Sequence, residues 1–188
     1  TYTFDPGISA HDAIQMTVDK MFEVLDANGV APENRLNILK MAALVQRESG
    51  PNPDDPAKIA RVFYNRLDIG MNLESDATVA YGTGNLDTVW TTAAERENPD
   101  NLYSTYVHPG LPYGPIGLPG EPAIKAAITP ADGPWLCFVQ ITLQPGRTVL
   151  DATELQQDAA AQPLYAWCAA PDEHRAAWGV LDGATISP

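Results

Sequence analysis

Positive charge is scarce in this sequence: 11 lysines and arginines stand against 24 aspartates and glutamates in 188 residues, a formal net charge of −13. No run of Lys or Arg offsets that excess locally, so nucleic acid is excluded as a partner class and an anionic membrane surface is disfavoured. A neutral or sugar-like substrate is compatible with it. Histidine is scarce too: His11, His108 and His174 stand in unrelated contexts without a partner at helical ligand spacing, which argues against a metal site. Cysteine is limited to Cys137 and Cys168, which form neither a CxxC nor a zinc pattern and leave either a disulfide or two buried thiols. No stretch approaches the roughly 18 to 20 apolar residues of a membrane span, and the opening TYTFDPG has neither the basic nor the apolar part of a signal peptide. Either the protein is cytoplasmic or its targeting segment lies outside this chain. Internal repeats are missing as well.

What is present suits one globular domain, 1–188, with a hydrophobic fraction of 45%. Ser9 and Asp12 make an N-terminal cap, and Ile14, Val18, Met21, Phe22 and Leu25 recur at helical spacing until Gly29, which predicts an amphipathic helix over 10–27. A second helix is expected over 32–49, where Leu36, Leu39, Met41, Ala42, Leu44 and Val45 give a broad apolar face ending before Gly50-Pro51. A third begins at Asp54 or Asp55, with Pro56 in its first turn, and stops at Gly70. Beyond it LESDATVAYGTG reads as extended or turn-rich, and 87–98 reads as either short helix or loop. VHPGLPYGPIGLPGEP carries five prolines and four glycines and predicts a rigid, shaped surface loop. A short helix over 122–128 follows, then a buried strand over 135–141 and a partner strand over 148–150 across a Pro145-Gly146 turn, with another helix over 152–161. The class is α+β, helical first and mixed later.

Glu48 is three residues from Val45, four from Leu44 and seven from Met41, which puts it on or beside the apolar stripe of the second helix. Partial burial and the negative end of the helix dipole both disfavour its charged form, and a carboxyl that keeps its proton suits a general acid. The alternative from spacing is a structural ion pair with Arg47, Arg61 or Arg66.

Together the segments ALVQRESG, DPAKIARVFYNRLDIGMNLESDATVAYGTG, YSTYVHPGLPYGPIGLPGEPAIKAAITPA and WLCFV resemble, in order and spacing, the YceG-like endolytic murein transglycosylases. The resemblance covers roughly residues 1–160 and extends to the opening TYTFDPG. It implies that Glu48, followed by Ser49 in the family's Glu-Ser/Thr pair, is the catalytic acid and base. The implied reaction cleaves the β-1,4 bond between N-acetylmuramic acid and N-acetylglucosamine, the muramic C6 hydroxyl attacking its own anomeric carbon to give a 1,6-anhydro end.

The same resemblance marks Asp76 in the family's D-x-T-V stretch and Arg66 in its N-R-L element. Asp76 also reads as a loop-organising Asx turn, and Arg66 as a residue that holds Asp76, touches sugar, or forms a structural ion pair. Tyr81 and Tyr106 match family motifs and could stack on sugar or donate hydrogen bonds, as could Tyr103; buried core tyrosine is the alternative. Ser49 and Ser104, the latter standing where the family often has Asn, are further substrate contacts that the resemblance implies. Gly114, Pro115 and Ile116 match a proline-glycine element implied to wall the groove. Arg147 and Val149 stand where the family often has His and Phe.

The resemblance implies no cofactor, peptidoglycan as substrate, an extracytoplasmic location that makes a Cys137–Cys168 disulfide admissible, and proximity to penicillin-binding proteins and other wall-synthesis enzymes. Typical members add an N-terminal membrane anchor and a small wall-binding lobe resembling LysM, and these residues contain neither. Two other readings stay open: a hydrolytic muramidase using Glu74 or Asp76 with Glu48, and a catalytically inactive peptidoglycan-binding module.

Overall fold

The computed structural model describes residues 2–85 and 91–141, together with strand backbone at 147–149, 180–182 and 185–187. The described residues are helix-rich, and their hydrophobic core lies between helices. Among them no helix is long and apolar enough to cross a membrane.

Helix α1 spans Ala10–Ala27 and opens as the sequence predicts, the Ser9 hydroxyl accepting from the Asp12 N–H at 3.0 Å. Only its last turns reach the core: Leu25 is fully buried with Met21 and Val24 beside it, while Ile14, Met16, Val18 and Phe22 stay exposed. A single 3-10 turn, Pro32–Asn34, leads into α2, Arg35–Glu48. Met41 to Val45 are buried without a break, and burial on every side marks a central helix. Indeed α3, α4 and α6 all pack on it.

Helix α3, Asp55–Asp68, supplies Ile59, Ala60, Val62 and Phe63 to the core and carries the expected proline in its first turn. Helix α6, Glu121–Ile128, contributes Ala123, Ile124, Ala126 and Ala127, whose small side chains let its backbone approach α2 and α3 closely. Phe63 meets Phe138 edge to face at 5.7 Å.

The segment read as extended, LESDATVAYGTG, is instead largely a helix: α4 spans Asp76–Thr83 and ends at Gly84 in the left-handed conformation, φ +74. Its β-branched Thr78 and Val79 and its glycines argue for strand or turn in isolation, but tertiary contacts prevail. Gly82 shows how: a Cβ there would lie 1.8 Å from the Asn101 Oδ1, so only glycine lets Asn101 approach and donate to the Val79 carbonyl at 3.1 Å. The ambiguous stretch resolves into a short helix α5, Ala93–Arg96, begun by a capping box of Thr92 and Glu95.

The strand expected over 135–141 shrinks to β1, Val139–Ile141, paired antiparallel with β2, Arg147–Val149, in the register Val139↔Val149. Residues 131–138 are not strand because polar side chains of α3 take their carbonyls. Arg61 donates to Ala131, Asn65 to Gly133 at 3.0 Å and Trp135 at 2.8 Å, and Arg66 to Leu136 at 2.6 Å. A second antiparallel pair joins β3, Val180–Asp182, to β4, Thr185–Ser187. The turn at Pro145-Gly146 and the helix expected over 152–161 lie outside the described residues.

Candidate active site

The last turn of α2 delivers Glu48 to the surface of the core. The helix stops at the next residue because Ser49 turns to extended backbone, φ −77 and ψ 133. Both its N–H, at 2.9 Å, and its hydroxyl, at 2.7 Å, donate to the Val45 carbonyl. Ser49 thus spends its side chain closing the helix that carries the acid.

Glu48 is part-buried, and its Oε1 accepts a hydrogen bond from the Ser75 hydroxyl. Burial pushes the carboxyl above its ordinary range; the Ser75 hydrogen bond works against that rise, the negative charge of Asp76 adds to it, and Arg47 opposes it weakly. Two of the cations that could have paired with it are engaged elsewhere, Arg61 with Ala131 and Asp132, Arg66 with Glu74.

Arg66 is 6% exposed, so of its three readings the structural ion pair fits where it stands. Its guanidinium donates to the carbonyls of Asn72 at 3.2 Å, Leu73 at 2.9 Å and Leu136 at 2.6 Å, approaches the Cys137 sulfur at 3.5 Å, and lies 3.5 Å from the Glu74 carboxylate. Cys137 itself is disulfide-bonded, its partner lying outside the described residues. The chain then reverses at Glu74, whose φ of +53 is uncommon for a side-chain-bearing residue and whose N–H is tied to the Thr105 carbonyl at 3.1 Å.

That reversal sets Ser75 at the start of α4 beside a closed group of hydroxyls. The Ser75 N–H donates to the Thr105 Oγ1 at 3.1 Å, the Thr78 hydroxyl donates to the Ser75 carbonyl at 2.7 Å, and the two threonine oxygens stand 2.9 Å apart. Asp76 follows in the first turn, where a carboxylate suits the positive end of the helix. Its Oδ1 accepts from the Thr91 hydroxyl and from the Tyr106 hydroxyl at 3.0 Å. Burial first, then the Asp76 charge, push the Tyr106 phenol up to about 12, and the Arg96 guanidinium lies 5.4 Å from its ring centre.

Beside this cluster runs a row of aromatic rings. Tyr81 and Tyr103 lie 4.9 Å apart between centroids, Tyr103 and Tyr113 6.0 Å, and both Tyr81 and Tyr113 are exposed. Gly114 sits against the Tyr103 hydroxyl, and Gly114 and Pro115 are half-buried in the proline-glycine loop. The loop's far end is fixed to α2, since the Gln46 Oε1 accepts from the Gly120 N–H at 3.1 Å.

Two expected contact residues are not available to a ligand. Ser104 is fully buried with its hydroxyl donated to the Arg96 carbonyl at 2.7 Å, and Ile116, 3% exposed, belongs to the hydrophobic core. Sequence reasoning missed Ser75 and Gln46 and saw Thr105 only as the neighbour of Tyr106 in a family motif; the local signal for Ser75 was the Ser-Asp-x-Thr spacing at a helix start. Among the described residues no three His, Cys, Asp or Glu converge as a metal-ligand set. A separate pocket of ≈460 Å³ has Pro53, Pro56, Pro122 and Lys125 in its lining and none of the residues above.

The sequence profile of the YceG-like family matches residues 1–162. The chain is 34% identical over 145 residues to the endolytic murein transglycosylase of Bacillus subtilis, covering 74% of this chain and 39% of that protein. With the endolytic murein transglycosylase of Streptococcus pneumoniae it shares 31% over 144 residues, covering 71% of this chain and 26% of that protein. The chain therefore spans well under half the length of either relative. A crystal structure of a yceG-like protein of Listeria monocytogenes superposes with a TM-score of 0.65 at 30% identity, covering 83% of this chain and 52% of that one.

Proposed function

Since the chain belongs to the YceG-like family, we propose that it is an endolytic lytic transglycosylase of peptidoglycan in which Glu48 is the single acid and base. The observation that carries this reading is the Glu48 carboxyl itself: part-buried at a helix end, biased toward its protonated form, and held by Ser75 at the start of the helix that carries the exposed Tyr81. A proton held at that position is what cleavage of a glycosidic bond requires first.

In this reading Glu48 gives its proton to the oxygen linking N-acetylmuramic acid to N-acetylglucosamine, and that C–O bond breaks. Now a carboxylate, it takes the proton of the muramic C6 hydroxyl, whose oxygen bonds to the anomeric carbon. The anhydro end forms, the acid is restored and no water is consumed. Asp76, close enough to act on Glu48 through its charge, favours the positive charge that develops on the sugar ring. Tyr81, with Tyr103 and Tyr113, offers faces for sugar stacking, and Gly114 and Pro115 line the neighbouring wall. Tyr106 fixes Asp76 rather than substrate. Residues 1–188 form one catalytic domain of α+β class, acting on the outer face of the cytoplasmic membrane, where the disulfide at Cys137 is chemically at home. Glycan strands are the substrate, and wall-synthesis enzymes that make them are the partners.

Digestion of purified peptidoglycan with product mass spectrometry tests the proposal. Anhydromuramic ends are expected, and Glu48→Gln should lower their formation by about 10²- to 10⁴-fold, the usual contribution of a positioned general acid. Reducing ends would instead indicate a hydrolase of two-carboxylate type; glycan binding without any turnover would indicate a binding module.

A further inference from the structure

Helix α4 begins with a serine in the capping position that does not cap. An N-cap hydroxyl ordinarily accepts from the second or third amide of its own helix, yet Ser75 makes no such bond, and the Thr78 N–H is met by the Ser75 backbone carbonyl at 3.2 Å instead. The hydroxyl is turned away from its own helix and onto Glu48. At 4% exposure it is not placed to touch a glycan. Its backbone is fixed on both sides, the N–H by the Thr105 hydroxyl and the carbonyl by the Thr78 hydroxyl, with those two oxygens joined and both threonines buried. Buried hydroxyls are costly unless satisfied, so this closed set has essentially one arrangement. The arrangement aims one O–H at one oxygen of the acid.

We propose that Ser75 is a positioning residue for the reaction: its hydroxyl holds the Oε1 of Glu48, which leaves the Oε2 as the oxygen that gives up and regains the proton. The inference rests on the transglycosylase reading of Glu48. A serine hydroxyl has a single proton to donate, and a carboxyl oxygen that accepts it is the poorer site for the acidic proton. Fixing that oxygen also fixes the last torsion of the glutamate, so the proton points one way before substrate arrives. The charged groups facing Glu48 are Arg47 from its own helix and Asp76 from α4. Ser75 and Asp76, adjacent in sequence, then act in opposite senses on one carboxyl: the carboxylate of Asp76 helps it keep a proton, and the hydroxyl of Ser75 helps it release one.

The test compares Ser75→Ala, Ser75→Thr and Thr105→Val on peptidoglycan. It is paired with a carbon-13 titration of the Glu48 carboxyl, assigned by its absence in Glu48→Gln. Because Ser75 caps nothing with its side chain, Ser75→Ala should melt near wild type in acid, where Glu48 is protonated, and below it at neutral pH, where the carboxylate has lost its donor, while kcat falls by about tenfold or more. Loss of a donor to the carboxylate raises the Glu48 midpoint, so the basic limb of the pH profile should move to higher pH. Ser75→Thr should restore both, and Thr105→Val should shift both partway. An unchanged midpoint and unchanged kcat in Ser75→Ala would overturn the proposal while leaving the function reading intact. Full turnover in Glu48→Gln would overturn that reading, and the titration would still decide whether Ser75 holds the carboxyl.

Discussion

Around α2, α3 and α6 the side chains that meet are Met41, Leu44, Ile59, Phe63 and Ile124, none more than 2% exposed. Around α4 they are Ser75, Thr78, Asn101 and Thr105, nearly as hidden but polar. The first group is held by apolar burial, which is strong and non-directional; the second by hydrogen bonds, which fix angles. Glu48 stands on the seam, carried by a helix of the first and held by a residue of the second. A carboxyl placed this way takes its stability from one region and its orientation from the other.

The comparison can be broken most forcefully at Arg66, which joins residues 72–74 to 136–137. Arg66→Met should destabilise the fold by about 3 to 5 kcal/mol in urea denaturation, since it removes a buried guanidinium and leaves the part-buried Glu74 carboxylate and three carbonyls without their cation. An effect below about 1 kcal/mol would show that the polar region does not depend on this clamp. In the apolar region, Leu44→Ala should cost about 2 to 5 kcal/mol. Its kcat below the melting transition should stay near wild type, because no directional contact to the acid is lost. A large drop in kcat with little loss of stability would erase the distinction between the two regions.

The smallest effect has the opposite sign. In the folded protein Glu48 binds its proton more tightly than in the unfolded chain, so it favours folding fully below the unfolded pKa. That contribution is lost as pH rises through the folded one. Glutamine does not titrate, and its amide oxygen can still accept from Ser75. Glu48→Gln should therefore melt above wild type at neutral pH, and the gain should vanish in acid, as calorimetry across pH would reveal. A lower melting temperature at neutral pH would mean that the native site favours the charged carboxylate.

The same division explains what could be read in the sequence. Helices α1, α2, α3 and α6 were legible because apolar periodicity, prolines in first turns and terminal glycines all agree with the packing that follows. Helix α4 was not, because its residues favour strand or turn and its helical state is imposed from residues 101–105. Trp135 to Phe138 resembled a strand from within, but carbonyls there are claimed by side chains about 70 positions earlier. At the site, Glu48 was visible as a carboxylate beside an apolar stripe. Ser75 was hidden because its meaning lies 27 residues away, and Ser104 and Ile116 matched motifs whose side chains turn inward.

Gly82 and Asn101 carry a consequence for how such a chain can change. The asparagine's oxygen fills the place where any side chain at 82 would begin, while the same amide group holds the Val79 carbonyl and the Tyr103 N–H. Position 82 can therefore gain a side chain only after 101 has become smaller, and a smaller 101 releases both α4 and the tyrosine row at once. Neither first step should be neutral, so a route away from this pair passes through a weaker protein unless both positions change together.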